Sequence, residues 1–566
     1  MKLPAVIFFL GVVQAAPAPA QDAPLQGRTA RVTVSIPQAT VIGKSSGSVE
    51  TFNGIPFAKP PTGSLRLKPP QKPDGDQGTV DATGSAAACP QMFFSTESQN
   101  IIFQALGNAL TLPLLQVVNG QEDCLTINVQ RPVGTKKGDN LPVLFWIFGG
   151  GFELGSTSMY DSSGLVSAGV DMAKPFVFVA VNYRLGGFGF MPGKEILEDG
   201  SSNLGLLDQR MGLEWVADNI EDFGGDPAKV IIWGESAGAM SVFDQMALYG
   251  GGISHNGKPL FRGGIMNSGS IVPADKMDCP KGQAVYDKVV QEAGCGSAHD
   301  SLECLREVDY QTFLRAANSV PGVLSHNTVA LSYLPRPDGT VLPDSPDALA
   351  ASGRYAAVPI IVGDQEDEGT LFALFTPNLT RTSDIVSYLS DLFFPAATTA
   401  QLTSLVNTYP SSLSSGSPFR TGIFNELYPG YKRVAAILGD LVFTLTRRAF
   451  LSTVKEANPG VKAWSYLSSY DYGTPVMGTF HGSDLLQVFY GVLPGYTERA
   501  IRNYYFNFLY NLDPNIGGKE NHPEWPEWED GGKLMWFLNG KNDELSDDFR
   551  AESYNVIRKN ALSLRV

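Results

Sequence analysis

A serine set between two glycines is the first place where the residue types of this sequence suggest chemistry. The stretch "KVIIWGESAGAMSVF" puts Ser236 two residues from Gly234 and two from Gly238. In the pattern G-x-S-x-G the glycines permit a sharp strand-to-helix turn that exposes the serine hydroxyl. The same small residues would also serve close packing of a strand against a helix. The motif therefore predicts a nucleophile only if the rest of the chain supplies its partners.

A serine nucleophile needs a general base, and chains with this motif place the base histidine last, after an acid. Of the five histidines, His481 and His522 lie far enough downstream. His481 lies in "MGTFHGSDLL", among small residues and before a possible helix start. His522 lies in a charged stretch interrupted by proline, which is typical of a solvated loop. This context favours His481 as the base.

The acid that orients the histidine has four candidates in one short segment. The stretch "IIVGDQEDEGTLF" places Asp364, Glu366, Asp367 and Glu368 directly after an apolar run of strand length. A carboxylate at the end of such a strand can reach a histidine on a neighbouring loop. An ordinary acidic loop or a weak calcium site would use the same residues, and spacing alone does not choose among the four.

Ester or amide chemistry at a serine also needs N–H groups that stabilise a developing oxyanion. One such donor is expected from Ala237, the residue after the serine, and others from a glycine-rich loop after an earlier strand. The stretch "WIFGGGFELGS" provides a loop of this kind. Its glycines match neither G-x-G-x-x-G nor the P-loop pattern, which disfavours a nucleotide site.

These candidates must be positioned by strands and helices that the apolar pattern predicts. A predicted helix over Leu204 to Ile220 has apolar residues at helical spacing, with Asn203 as its expected N-cap. Strands alternating with helices predict an α/β fold with a doubly wound, mostly parallel sheet, whose ligands bind beyond the carboxyl ends of the strands. Four apolar runs of strand length end in glycine-rich or acidic loops: Leu141 to Phe148, Pro175 to Arg184, Lys229 to Trp233 and Val358 to Gly363.

Composition and the first residues indicate a secreted protein. The chain has 566 residues and a net charge of −15, which opposes binding to nucleic acid or to an anionic membrane. The opening "MKLPAVIFFLGVVQAAPAPAQ" predicts a signal peptide over residues 1–20, cleaved between Ala15 and Ala20. No later stretch is apolar for long enough to span a membrane. The sequon "NLT" at Asn378 is the expected N-glycosylation site.

Five cysteines in a secreted chain allow at most two disulfides. The spacing suggests a bond between Cys295 and Cys304 across a short polar loop, and one between Cys89 and Cys124 around a longer loop. Cys279 is then expected as a buried free thiol. No cysteine and histidine cluster has zinc spacing, and no metal or cofactor is predicted.

The loop between Cys89 and Cys124 contains an unusually apolar segment, Gln99 to Val118. A stripe at helical spacing is usually the buried face of a core helix. A segment tethered by a disulfide could instead be a flap whose apolar stripe covers a pocket. The stripe consists of Ile101, Ile102, Ala105, Leu106, Ala109 and Leu110.

Longer motifs in this chain resemble the type-B carboxylesterase/lipase family, which includes the cholinesterases. "FGGDPAKVIIWGESAG" is similar to the serine signature of that family, and "EDCLTINV" to its second signature. "PFAKPPTGSLRLKPP" and "GTFHGSDLL" are similar to the secreted fungal lipases of the Candida rugosa type. The resemblance runs from about residue 31 to the C-terminus. It implies an α/β-hydrolase fold, with a large mostly parallel sheet covered by helices on both faces, in a single domain over residues 31–566.

The resemblance also implies roles for individual residues. It selects Glu368 from the four carboxylates, and it makes the segment over residues 89–124 a lid. It pairs the cysteines as the spacing suggests, and it implies that Ser268 supports the site. The implied catalytic residues are Ser236, His481 and Glu368, with oxyanion donors at Gly150, Gly151 and Ala237.

The function implied is that of a secreted serine ester hydrolase, a lipase acting on lipid esters such as acylglycerols without a cofactor. Its expected partners are the ester substrate and a lipid–water interface contacted through the lid. A carboxylesterase or sterol esterase with the same three catalytic residues is the alternative. A more distant alternative is a non-catalytic adhesion protein of the cholinesterase type. Such proteins typically lack the serine, whereas every catalytic position is filled here.

Overall fold

The computed structural model describes residues 30–93, 120–491, 494–518, 522–529 and 532–566. The predicted signal peptide and the apolar segment Gln99 to Val118 lie outside the described residues.

A large mixed sheet forms the centre of the described structure. Its strands follow the order β1-β2-β3-β5-β7-β6-β8-β11-β12-β13-β14-β15, with β4 beside β2, and β9 and β10 form a separate hairpin. The seven strands from β7 to β14 in this order are parallel, and the strands at both edges are antiparallel. The strands are β1 (Ala30–Ile36), β2 (Ala39–Ser46), β3 (Val49–Pro56), β4 (Thr79–Asp81), β5 (Thr126–Pro132), β6 (Leu141–Ile147), β7 (Val177–Val181), β8 (Gly225–Glu235), β9 (Ser254–His255), β10 (Lys258–Pro259), β11 (Gly263–Asn267), β12 (Ile360–Gln365), β13 (Ala463–Ser468), β14 (Lys533–Leu538) and β15 (Lys541–Ser546).

Helices pack on both faces of this sheet. Neighbouring residues of a strand point to opposite faces. Ile232 and Trp233 of β8 therefore point to opposite faces, Ile232 towards helix α5 and Trp233 towards helix α15. A side chain at Gly264 would meet Ile232 and Val242 on one face, whereas the ring of Trp233 packs 5.9 Å from Tyr505 on the other. The helices are α1 (Ser163–Asp171), α2 (Gly186–Gly189), α3 (Lys194–Asp199), α4 (Leu204–Asn219), α5 (Ala237–Ala247), α6 (Pro280–Glu292), α7 (Ser301–Glu307), α8 (Tyr310–Ala317), α9 (Pro346–Ala351), α10 (Thr370–Ala373), α11 (Thr382–Tyr388), α12 (Thr399–Asn407), α13 (Tyr431–Gly439), α14 (Leu445–Ala457), α15 (Tyr496–Asn511) and α16 (Ala551–Lys559).

The predicted α/β fold is confirmed, and all four predicted strands are present as β6, β7, β8 and β12. Their residues are almost all buried, as expected for parallel strands covered on both faces. The predicted helix is α4, and Asn203 occupies its N-cap position as predicted. Asn203 has a φ of 53°, however, and its side chain makes no cap hydrogen bond. Its amide instead donates to the carbonyl of Arg336, 2.9 Å away, because tertiary contacts outcompete the local cap.

Both predicted disulfides are present. Cys89 and Cys124 are joined at a Cα–Cα distance of 5.0 Å, and Cys295 and Cys304 at 5.8 Å. Cys279 is free as predicted, but it is half-buried rather than buried. Its sulfur accepts a hydrogen bond from the backbone N–H of Gly282 at the start of α6.

Candidate active site

Ser236 lies alone in the turn between β8 and α5. The strand ends at Glu235 and the helix begins at Ala237, and Ser236 has φ 57° and ψ −125°. Residues other than glycine rarely adopt this backbone conformation, which persists only where neighbours enforce it. Here the N–H of Ser236 donates to the carbonyl of Asn267 at the end of β11, 2.9 Å away. The serine is thereby held at the carboxyl edge of the sheet.

The glycines that flank the serine are required by close backbone contacts. A Cβ at Gly234 would lie 2.3 Å from the carbonyl carbon of Gly238. A Cβ at Gly238 would lie 2.0 Å from the carbonyl oxygen of Ile147 in β6. Larger residues would push helix and strands apart, so the motif has a steric reason as well as a chemical one.

The structure joins Ser236, His481 and Glu368 in one line of hydrogen bonds. His481 Nε2 lies 2.8 Å from Ser236 Oγ, and His481 Nδ1 lies 2.5 Å from Glu368 Oε2. The other carboxylate oxygen, Glu368 Oε1, accepts the backbone N–H of Gln365 at 2.7 Å. With Nδ1 bonded to this carboxylate, Nε2 is the ring nitrogen that faces Ser236 Oγ.

Two of the other candidate carboxylates pair with arginines. Asp364 Oδ2 accepts a hydrogen bond from Nε of Arg447 at 2.9 Å, and both side chains are fully buried. Glu366 Oε1 accepts from Nε of Arg420, also at 2.9 Å. Arg447 links the end of β12 to α14 and thereby holds the loop that carries Glu368.

The remaining candidate, Asp367, is occupied by hydrogen bonds that shape the loop. Its carboxylate accepts from the hydroxyl of Ser417 and the N–H of Phe419, both at 2.8 Å, and from the N–H of Thr479 at 3.0 Å. Glu368 is therefore the one member of the four that contacts His481 in the described structure.

The imidazole lies in a buried cluster of carboxylates. Glu235 Oε1 is 3.4 Å from His481 Nε2, and burial raises the pKa of Glu235 to about 8. Burial also raises the pKa of Asp484 to about 6. Burial by itself would lower the pKa of His481. Its interactions with Glu368, and to a smaller extent with Glu235 and Asp484, outweigh burial and raise that pKa to about 9. The surrounding carboxylates therefore favour the protonated form of His481.

The glycine loop after β6 contacts the serine directly. A Cβ at Gly149 would lie 2.8 Å from the Cβ of Ser236. Gly150 and Gly151 have φ values of 113° and 65°, which side chains would disfavour. Within the described residues, the N–H groups of Gly150, Gly151 and Ala237 make no backbone hydrogen bond. These N–H groups belong to the glycine loop and to the first residue after Ser236.

Ser236 and His481 open onto a cavity of about 500 Å³. Most of the side chains that line it near the serine are apolar, which suits an acyl chain better than a polar substrate. They include Leu154, Met240, Ile271, Val323, Leu331, Leu371, Phe372, Phe393 and Phe443.

The remaining candidates take no part in the line of hydrogen bonds through Ser236, His481 and Glu368. His522 is buried, not solvated, and its ring packs 5.0 Å from Tyr496, away from the serine. Ser268 is buried beside the site, but its hydroxyl has no partner in the described structure and does not bond to His481. Asn378 is exposed.

Sequence reasoning missed Glu235 and Asp484. Asp484 accepts a hydrogen bond from Nδ2 of Asn267 at 2.7 Å, directly behind the turn that carries the serine. A buried carboxylate three residues after the base has no distinctive local pattern. Its position beside a second carboxylate results only from the approach of two loops.

Among the described side chains, no group of three or more His, Cys, Asp or Glu residues is arranged to hold a metal ion. In the same residues, no helix is long and apolar enough to cross a membrane.

Comparison with known proteins agrees with this geometry. Residues 30–557 match the Carboxylesterase family. The chain belongs to this family. It is an ester hydrolase, as the resemblance of its motifs implied.

Similar proteins include lipases and esterases of fungi. The chain is 64% identical over 551 residues to a "Secreted triacylglycerol lipase LIP1" of Gibberella zeae, covering 97% of this chain and 93% of that protein. It is 43% identical over 532 residues to "Lipase 4" of Diutina rugosa, covering 93% and 95%. The crystal structure of Aspergillus niger EstA has a TM-score of 0.80 at 27% identity, covering 95% of this chain and 99% of that one.

Glu368→Gln should lower kcat/KM by roughly 10³- to 10⁴-fold, because a neutral amide neither fixes the imidazole tautomer nor stabilises the imidazolium. Glu366→Gln is the matched control, two residues away and paired with Arg420. It should change the rate by less than threefold. Initial rates with a soluble p-nitrophenyl ester measure both. Equal losses in the two variants would contradict the selection of Glu368.

The pH profile should report the raised pKa of His481. If His481 acts as the base, its neutral form is needed, so the rise of kcat/KM should have its midpoint near pH 9 instead of near 6.5, the ordinary histidine value. Glu235→Gln removes a carboxylate 3.4 Å from Nε2 and should move the midpoint to lower pH. Superimposable profiles of the wild type and Glu235→Gln would show that Glu235 does not act on the base.

Proposed function

We propose that this enzyme is a secreted triacylglycerol lipase that works through an acyl-enzyme on Ser236. The observation that supports this most directly is the hydrogen-bonded line from Ser236 through His481 to Glu368 at the mouth of an apolar cavity. In this proposal Ser236 is the nucleophile, His481 the general base and Glu368 the orienting acid.

Acylation begins when Ser236 Oγ attacks the carbonyl carbon of the ester and His481 Nε2 takes its proton. The carbonyl oxygen becomes an oxyanion, which the N–H groups of Gly150, Gly151 and Ala237 stabilise. The tetrahedral intermediate then expels the alcohol, which takes the proton from Nε2. The acyl group remains bonded to Oγ.

Deacylation reverses the roles with water as the nucleophile. His481 Nε2 removes a proton from water, whose oxygen attacks the acyl carbonyl, and then returns the proton to Ser236 Oγ. The fatty acid leaves and the serine is regenerated. Because no step needs an electron acceptor or a Lewis acid, the groups of this chain complete the cycle.

The proposed substrate class follows from the cavity and from the relatives. An apolar chain gains about 0.8 kcal/mol for each methylene it buries, and the cavity side chains nearest the serine are mainly apolar. A relative that is 64% identical is named a secreted triacylglycerol lipase. The predicted signal peptide, the two disulfides and the exposed sequon at Asn378 are typical of a secreted protein.

Covalent labelling tests the nucleophile and the substrate class together. An organophosphonate should add one phosphonyl group to the wild type and none to Ser236→Ala, measured by intact mass. Trioleoylglycerol emulsion should be hydrolysed by the wild type, with release of oleate measured by titration. Labelling without hydrolysis of the emulsion would leave a serine esterase but contradict the lipase.

We also propose that Gln99 to Val118 acts as a lid. The segment lies outside the described residues, but the chain that precedes it is bonded to the glycine loop, and the chain that follows it is bonded to the preceding flank. Cys89 is bonded to Cys124, and the N–H of Met92 donates to the carbonyl of Glu153 at 3.0 Å. The side-chain oxygen of Gln91 accepts the N–H of Gly155 at 2.7 Å. These bonds fix the described chain before the segment, and the disulfide links it to the chain after the segment.

A lid with an apolar stripe makes activity depend on a lipid surface. Exposing six apolar side chains to water costs a few kcal/mol at about 25 cal/mol per Å², so a lipid surface that takes them up shifts the balance towards the open form. Hydrolysis of tributyrin should rise steeply once droplets form. Leu106→Asp with Leu110→Asp should flatten this rise and spare p-nitrophenyl acetate. A smooth saturation curve in both proteins would make this segment an ordinary core element.

A further inference from the structure

A surface loop over residues 421–430 exposes large apolar side chains to water. Ile423 is 66% exposed, Phe424 72% and Leu427 52%. Apolar side chains exposed singly are common on protein surfaces. Three of them within five residues form a patch, and such patches indicate an interaction surface. We call Ile423, Phe424 and Leu427 the apolar patch.

Charged side chains next to the patch hold the loop in shape. Glu426 accepts the N–H groups of Gly430 at 2.6 Å and of Lys432 at 3.0 Å, at the start of α13. The side chain of Lys432 is buried, and its Nζ donates to Thr421 Oγ1 at 2.9 Å and to the carbonyl of Gly422 at 2.8 Å. The loop therefore binds its charged groups internally and leaves its apolar ones in water, the reverse of an ordinary surface loop.

Two hydrogen bonds place this loop at the catalytic edge of the sheet. Asp367, after β12, accepts the N–H of Phe419 at 2.8 Å. Asn425 Oδ1 accepts the N–H of Val476, in the segment after β13, at 3.0 Å. Because β8, β12 and β13 belong to one run of parallel strands, their carboxyl ends share an edge with Ser236. The segments that contact the loop also carry the acid and the base of the proposed function.

We infer that the apolar patch is a lipid-anchoring surface, which inserts into an uncharged lipid aggregate and turns the catalytic edge of the sheet towards it. The three side chains suit lipid better than a protein. A whole aromatic side chain buries about 150–250 Å², so the exposed parts of three side chains provide less than the roughly 800 Å² per partner of a stable protein interface. A lipid surface takes up apolar side chains in proportion to their buried area.

The charge of the chain specifies the kind of lipid. A net charge of −15 opposes approach to an anionic surface, which attracts clusters of lysine and arginine. An uncharged ester or a zwitterionic lipid carries no such penalty. This inference rests on the proposed function, since that function brings the enzyme to a lipid surface.

Vesicle binding tests the patch without catalysis. The wild type should sediment with sucrose-loaded vesicles of dioleoylphosphatidylcholine. The combined variant Ile423→Ser, Phe424→Ser and Leu427→Ser should lower the partition coefficient by about tenfold or more, because less apolar area leaves water. Added salt should leave wild-type binding unchanged, since exposed charges are what salt screens. Equal partition of the two proteins, or binding that requires phosphatidylserine, would overturn the surface.

Exposed apolar residues elsewhere supply a matched control. The combined variant Val133→Ser, Val170→Ser and Ile516→Ser replaces side chains that are 49%, 41% and 55% exposed. Val133 directly follows β5, which is antiparallel to β7 and ends at the opposite edge of the sheet. This control should bind vesicles as the wild type does, and an equal loss of binding would overturn the assignment to the loop. Both combined variants should hydrolyse p-nitrophenyl acetate at the wild-type rate, which shows that they are folded.

Two further measurements separate this inference from the proposed function. On a trioleoylglycerol emulsion the patch variant should need about tenfold more lipid surface for its half-maximal rate and keep its maximal rate. If the wild type binds vesicles through the patch but does not hydrolyse the emulsion, the proposed function fails and the surface stands. If sedimentation velocity shows a wild-type dimer and a monomeric patch variant, a second copy covers the patch and the lipid-anchoring surface is overturned.

Discussion

The contact between the Glu368 carboxylate and the His481 imidazole is the interaction on which the rest of the site depends. Both groups are buried, and 2.5 Å separates Glu368 Oε2 from Nδ1. A buried charge pair is favourable only when geometry and further hydrogen bonds compensate for lost water. The surrounding chain meets this need, because the N–H of Gln365 binds the second carboxylate oxygen. Arg447 and Arg420 pair with Asp364 and Glu366, and hydrogen bonds from Ser417, Phe419 and Thr479 occupy Asp367, so that Glu368 is the carboxylate of the four that contacts His481.

Close contacts between backbone segments position Ser236 and the glycine loop. The turn at Ser236 is held against β6 and β11, and glycines are the only residues that fit at its two flanks. The loop with Gly150 and Gly151 lies against the same turn, which brings the candidate oxyanion donors to the nucleophile without any side chain between them. Tight packing therefore sets both the exposure of the hydroxyl and the position of the donors.

The two ends of the cavity differ in chemical character. Near Ser236 its walls are mainly apolar, whereas its far end meets charged and exposed side chains. His481 lies in a third environment, where the carboxyl groups of Glu235 and Asp484 are close to the imidazole and burial raises the pKa of both carboxyls. Apolar walls attract the acyl chain, and the buried carboxylates favour a protonated imidazole. Binding and proton transfer are thus governed by separate parts of the site.

Much of this could be predicted from the sequence, because its signals are local. These signals depend on contacts within a short stretch of chain. They are the apolar run before Ser236, the glycines two residues on either side of it, and the spacing of the cysteines. The strands, α4 and both disulfides follow those signals, and family motifs singled out Glu368. Residue spacing alone did not separate Glu368 from three neighbours, since arginines over fifty residues away decide which carboxylates are occupied. The burial of His522, the loss of the cap at Asn203 and the gathering of Glu235 and Asp484 around His481 were likewise decided by tertiary structure. Each depends on which distant segments meet, and the free energy of burying a charge is set by those neighbours rather than by the residue itself.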